Sequence, residues 1–216
     1  GGAAAMGGGL SAAERAAHTA VLLVLGGGVG SSVAVGGVIH RGSRGMIEGG
    51  HMIVQPGGPP CGCGQRGCLE ALASGTAIAA AASKRGLGAL EARQVAELAS
   101  EASTLGDGAR GWAPPLPDKE RRRLEVLHCH EARGVMGDAA DALATACINV
   151  CRVLDPHVIV LAGGVATPEL VAAVDAKFKA LAWTILPDAV HIRRASAGAD
   201  AGVLGAAAAA AGAAGG

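Results

Sequence analysis

The stretch "AVLLVLGGGVGSSVAVGGVIHRG", Ala20–Gly42, changes character three times. Ala20–Leu25 is a continuous apolar run of strand length, the pattern of a strand covered on both faces. "GGGVGSS" interrupts it, and β character resumes around Val33. Gly36-Gly37 then suits a two-residue hairpin, whose central residues both need positive φ. The reading is strand, glycine loop, strand, tight turn, strand: an antiparallel meander.

Downstream the period lengthens from two toward that of a helix. "LEALASGTAIAAAASKRG" (Leu69–Gly86) reads as a helix broken or bent near Gly75, and "ALEARQVAELASEAS" as a second. An irregular insert is expected over about 103–127. A long helix follows from Glu131 to about Leu154, with Val135, Ala139, Ala142, Leu143, Ala146 and Val150 on one face. Asp155-Pro156 stops it. "HVIVLAGGV" is a buried strand entering a glycine turn, and Thr167-Pro168 caps a helix with core residues Leu170, Val171, Val174, Phe178 and Leu181. "AVHIRRA" is the last strand and "DAGVLGAAAAAA" a closing helix. The fold class is therefore α/β, a mixed sheet with an antiparallel meander and flanking helices.

Composition restricts the partners. Eighteen basic residues balance eighteen acidic ones, which gives no electrostatic reason to expect nucleic acid. The basic run Lys119–Arg123 suits a solvated loop or helix start. Trp112, Trp183 and Phe178 are the only aromatic residues in 216, so Ala, Val, Leu and Ile must fill the core. No secretory signal or spanning segment is evident, and no membrane partner is expected. Six cysteines without a signal point to a reducing compartment, cytoplasm or organellar matrix, where clustered cysteines more often hold metal than pair.

Three of the six cysteines fall in "HMIVQPGGPPCGCGQRGC", His51–Cys68. One imidazole and three thiolates, from His51, Cys61, Cys63 and Cys68, make the closed tetrahedral set of a structural zinc site. Gly62, Gly64 and Gly67 would let the backbone wrap the ion closely. The competing reading is a loop of incidental cysteines, in which Cys61 or Cys63 could pair with Cys68. Four protein ligands leave no place for an activated water, so such an ion staples rather than catalyses. Cys147 and Cys151 lie four apart on a helix and read as small core residues.

Glu48 and Glu70 flank this segment. Ionised carboxylates on a rigid surface accept strong hydrogen bonds from sugar hydroxyls. Equally, Glu48 could be an ordinary surface residue and Glu70 a helix-start acid favoured by the dipole. Two glycine loops follow strands, "LGGGVGSS" and "LAGGVATP", and successive backbone N–H groups in such turns can cradle phosphate. Two loops with a carboxylate pair between them suggest phosphoryl transfer to a hydroxyl.

The segment "EGGHMIVQPGGPPCGCGQRGCLEALASG", with the upstream glycine loop, "LDPHVIVLAGGV" and "DAGVLGAA", resembles the ROK family of sugar kinases and repressors over roughly residues 3–210. The resemblance implies an actin-like fold of the hexokinase and heat-shock ATPase class, with a ribonuclease H-like lobe. The chain then corresponds mainly to the C-terminal lobe, its zinc loop spanning 48–70 and the N-terminal lobe absent. It implies zinc on His51, Cys61, Cys63 and Cys68, and sugar contacts from Glu48, His51 and Glu70. Its ATP-side loops fall on Gly26, Gly27, Gly28 and Gly30 and on Gly163 and Gly164. The expected cofactors are structural zinc and Mg-ATP, the substrate a hexose or N-acetylhexosamine, and a homodimer is common among such proteins.

This sequence departs from the family pattern in places. Gly27 stands where the family usually has Thr, Ser31 and Ser32 where it has Gly, and Gly49 where it has an apolar residue. The family's catalytic Asp falls at or before Gly1, and no Asp precedes Asp107. The expectation is an ATP-dependent sugar kinase represented by a fragment without its base. The alternatives are a sugar-sensing regulatory relative and a degenerate zinc-stapled scaffold.

Overall fold

The computed structural model describes residues 19–45, 47–101, 118–181 and 190–195, with no account of the side chains of 101 and 118–123. Five strands form one sheet in the order β3-β2-β1-β4-β5. They are β1 (Thr19–Leu25), β2 (Val29–Val35), β3 (Val38–His40), β4 (Val158–Ala162) and β5 (His191–Arg194). The first three make the antiparallel meander, with Leu23 opposite Ser31 and Val35 opposite Val38. Gly36 and Gly37 join β2 to β3 at φ +59° and +77°, as a hairpin of this length requires. β4 then runs parallel to β1, with Leu161 beside Leu23, and β5 runs parallel to β4.

Between β3 and β4 lie a 3-10 turn (Gly49–His51), α1 (Glu70–Ala73), α2 (Gly75–Lys84), α3 (Ala92–Glu101) and α4 (Asp118–Leu154); α5 (Pro168–Leu181) follows β4. The break expected near Gly75 separates α1 from α2, where the Ser74 hydroxyl accepts from the Ala77 N–H and caps α2. Thr167 caps α5 by accepting from the Leu170 N–H. α4 ends at Asp155, which adopts φ +43°.

One face of the sheet, carrying Val21, Leu23, Leu25, Ile159, Leu161 and Ile192, packs against the helices to form the main core. Alternation places Leu22, Val160 and Ala162 on the opposite face, in a second buried cluster. β1 therefore loses its apolar surface on both sides, which explains its unbroken hydrophobic run. The lone Phe178 is fully buried on α5, and α4 contributes mostly small residues such as Ala132, Ala139 and Ala146, which let neighbours approach closely. Cys147 and Cys151 are buried in this core, as the spacing implies.

Two boundaries differ from expectation. The irregular insert does not extend to 127, because α4 begins at Asp118 rather than Glu131. "DKERRRLE" is rich in strong helix formers, which favour a helix by propensity, and at its end and just beyond it the apolar Leu124, Val126 and Leu127 are exposed rather than forming a core stripe. Leu181, expected in the core, is exposed at the end of α5. Residues 103–117, the closing helix expected from Asp200 and the amino-terminal "GGAAAMGGG" lie outside the described residues. No described helix is long and apolar enough to cross a membrane.

Candidate functional site

The Cys/His segment folds back on itself through short-range backbone bonds. Val54 and Gln55 N–H groups both donate to the Gly67 carbonyl (2.9 and 3.1 Å), and Cys61 N–H donates to the Gln65 carbonyl (2.8 Å). Isolated β-bridges pair Ile53 with Cys68 and Pro60 with Arg66. Gly67 makes this possible: its φ is +76°, and a Cβ would stand 1.7 Å from the Gln55 carbonyl oxygen. Gly64 also needs its freedom, at φ +89°. Gly62 does not, since a Cβ there meets nothing within 4 Å. Close wrapping is thus a requirement at one of the three glycines.

The fold gathers the four predicted ligands. One ligand atom from each of His51, Cys61, Cys63 and Cys68 lies within 4.8 Å of all the others. His51 Nδ1 is 3.5 Å from Cys61 Sγ, and Cys63 Sγ is 3.6 Å from Cys68 Sγ. A tetrahedron with metal–sulfur distances of about 2.3 Å has edges of about 3.8 Å, whereas a disulfide needs about 2.05 Å. The spacing fits donors around an ion, and none of the six cysteines forms a disulfide. Burial pushes the Cys68 thiol up to about 12, and the neighbouring thiols add to the rise. A hydrogen bond from the Gln65 backbone instead holds the exposed Cys63 thiol below its ordinary value. With Nδ1 turned to the thiols, the Nε2 edge of His51 is left for another partner.

Glu70, the first residue of α1, follows Cys68 by two positions and turns toward the first glycine loop. Its Oε2 accepts from the Val29 N–H at 3.0 Å. A Cβ on Gly28 would stand 2.5 Å from that oxygen, so the missing side chain at 28 admits the carboxylate. Glu48 precedes the 3-10 turn; its side chain is exposed, while its carbonyl accepts from the His51 N–H at 3.0 Å.

The two glycine turns meet. Val165 N–H donates to the Leu25 carbonyl at 3.2 Å, bringing the β4–α5 turn against the end of β1. Gly163 permits this at φ +94°, with room for no Cβ beside Leu25. Gly26 and Gly27 from one turn, and Gly163 and Gly164 from the other, line a single cleft of about 1100 Å³. Gly28 and Gly30 do not line it: the first lies under Glu70, and the second pairs with Val24 in the sheet. Gly26 N–H is committed to the Gly28 carbonyl, so the loop is not a run of free amides.

Among the cleft residues that the sequence reading did not assign, Gly75, Thr76 and Arg194 bond to the backbone of its turns. Gly75 N–H donates to the Gly26 carbonyl at 2.7 Å, and the Thr76 hydroxyl donates to the Gly27 carbonyl at 2.8 Å. The start of α2 thereby buttresses the first loop, and Ser74-Gly75-Thr76, a capping residue at a helix break, was the available signal. Arg194 lines the cleft from β5 and donates through Nε to the Ala166 carbonyl at 2.7 Å. Nothing in "HIRRA" distinguished it.

A mixed sheet with a leading meander, two glycine turns on one cleft and helices packed on the sheet define a lobe of the actin-like ATPase class. The chain belongs to the ROK family, which it matches over residues 2–213. It is 35% identical to the glucokinase of Halalkalibacterium halodurans over 193 residues, covering 88% of this chain and 55% of that protein. It is 32% identical to the N-acetylmannosamine kinase of Vibrio cholerae over 143 residues, covering 66% and 40%. Among solved structures, the ROK hexokinase from Thermus thermophilus superposes with a TM-score of 0.66 at 31% identity, covering 90% of this chain and 60% of that one. The chain spans about half the length of the kinases it matches.

Proposed function

We propose that this chain forms the sugar-facing wall and one side of the nucleotide cleft of an ATP-dependent sugar kinase, corresponding mainly to its C-terminal lobe. One observation carries the reading. The carboxylate that leaves the Cys/His segment, Glu70, touches the glycine loop that lines the cleft, so the two regions share one edge. A sugar hydroxyl at that edge would stand next to a bound terminal phosphate. The kinase relatives support a hexose or N-acetylhexosamine as acceptor and Mg-ATP as donor.

In this reading zinc is structural and is held by His51 Nδ1 and the sulfurs of Cys61, Cys63 and Cys68. It fixes the turn bearing Glu48 and the start of α1 bearing Glu70, while His51 Nε2 and both carboxylates orient sugar hydroxyls. The Gly27 and Gly164 backbones and the α2 amino end face the phosphates. The hydroxyl oxygen attacks the terminal phosphorus, the bond to the bridging oxygen breaks, ADP leaves, and the hydroxyl proton passes to a carboxylate base. That base is assigned to an Asp outside this chain. Six cysteines without a disulfide suit a reducing compartment such as the cytoplasm or an organellar matrix.

A coupled ADP-release assay with a panel of hexoses and N-acetylhexosamines tests the proposal. Longer protein containing this chain should turn over at least one of them, with Glu70→Gln slower by at least about tenfold. Turnover by residues 1–216 alone would refute the assignment of the base elsewhere. A longer protein that binds and phosphorylates no sugar would refute the function.

A further inference from the structure

The first residues of β2, Val29–Ser31, run between the cleft and the Cys/His segment and are clasped from both sides. On one side Glu70 accepts from Val29 N–H. On the other, the Ser31 hydroxyl donates to the Ile47 carbonyl at 3.0 Å and accepts from the Gly49 N–H at 2.7 Å. Those two backbone groups flank Glu48, so a single hydroxyl fixes both ends of the residue that leads into the His51 turn. Gly50 then lies directly on β2, where a Cβ would stand 2.0 Å from the Val29 carbonyl oxygen.

The fit depends on both residue types. A Cβ at position 49 would stand 2.8 Å from Ser31 Oγ and 3.0 Å from Ser31 Cβ, and would expel the hydroxyl from its bonds. Serine at 31 and glycine at 49 therefore work as a pair. Neither belongs to the ligand cluster, and neither lines the cleft. Strand pairing does not require the hydroxyl either, since Ser31 takes its place in the sheet opposite Leu23 through its backbone.

We propose that Ser31 is a positioning residue. With Gly49 as its counterpart, it holds the Glu48–His51 turn where His51 Nδ1 faces the thiols, and through Val29 it ties that turn to the first glycine loop. Occupancy of the Cys/His cluster and order in the glycine loop are then linked, although none of the four ligands reaches the cleft. The use of this turn for sugar rests on the kinase reading; the clasp and its effect on metal affinity do not.

The test uses the full chain and zinc as the probe. Ser31→Ala removes both bonds, and Ser31→Thr keeps the hydroxyl. In competition with a chromophoric chelator, Ser31→Ala should bind zinc about tenfold more weakly, as when a group supporting a metal ligand is lost, and Ser31→Thr should recover most of that loss. Amide hydrogen exchange should quicken in Ser31→Ala at residues 26–30 and 49–52 and stay unchanged at Gly163 and Gly164. Gly49→Ala should reproduce these effects, and adding Ser31→Gly to it should cost less than the sum of the two changes. Parental zinc affinity with unaltered exchange at Gly49 in Ser31→Ala would overturn the proposal, as would a Ser31→Thr chain no better than Ser31→Ala. If the parent chain binds no zinc, the metal reading fails by that result. The exchange arm then decides the clasp: faster exchange at Gly49 in Ser31→Ala upholds it, and unchanged exchange sinks it.

Discussion

The Cys/His segment and the cleft are built in opposite ways. The segment draws its four candidate ligands from eighteen consecutive residues; backbone bonds within that span hold the cysteine loop, and the His51 turn is also held from β2 through Ser31. The cleft draws its glycines from positions 26–27, 75 and 163–164, and Arg194 from the last described strand. The parallel pairing of β1 with β4, with the Val165–Leu25 bond at its end, brings the two turns together. A locally encoded site fails when one of its own atoms is lost and answers to few positions outside it, here Ser31 and Gly49. A site assembled by topology is robust in its parts and depends on a few close backbone approaches.

The largest expected effect tests the local half. Cys68→Ala should abolish stoichiometric zinc binding and cost about 4 kcal/mol or more in denaturant unfolding, because ion and staple are lost together. If the cluster holds no ion, this buried cysteine should cost no more than an ordinary small core residue. Next, Gly67→Ala forces a side chain against the Gln55 carbonyl at positive φ and should cost about 3 kcal/mol. Gly62→Ala, five residues earlier, should lie within about 0.5 kcal/mol of the parent. Equal losses at both would show that the local hydrogen-bond pattern does not hold the loop.

The cleft offers a parallel contrast. Gly163→Ala meets the Leu25 backbone at φ +94° and should cost about 2 kcal/mol and weaken ADP binding in a calorimetric titration. Gly164→Ala has open space around it and should keep its stability. Equal tolerance at 163 and 164 would break the claim that β1 and β4 fix the cleft by close approach.

The smallest effect concerns the core beneath both regions. Burial pushes the Cys151 thiol up to about 11 and raises Cys147 as well, against an ordinary 9.0. Above about pH 9 the unfolded chain releases these protons while the folded chain keeps them, so stability falls as pH rises. For Cys151 the loss should stay below about 1 kcal/mol between pH 9 and 10. Thermal melts of Cys151→Ala should show a flatter alkaline decline; an identical slope would contradict the burial argument.

Legibility in the sequence followed the same division. The clustering of His51 with three cysteines, the hairpin at Gly36-Gly37 and the Thr167 cap depend on neighbours in the chain, and each could be read directly. The start of α4 was missed because a run of charged helix formers carries no apolar periodicity and looks like a loop when that period is the guide. Thr76 and Arg194 were missed because their partners, Gly27 and Ala166, are chosen by the fold. The Ser31–Gly49 pair registered only as two departures from a family pattern; in three dimensions each makes room for the other.

X-ray absorption at the zinc edge, on protein purified under reducing conditions and assayed for metal content, tests the central claim most directly. The account predicts one zinc per chain in a shell of one nitrogen and three sulfurs, with sulfur at about 2.3 Å. A substoichiometric metal content, or a shell of oxygen and nitrogen without sulfur, would contradict it.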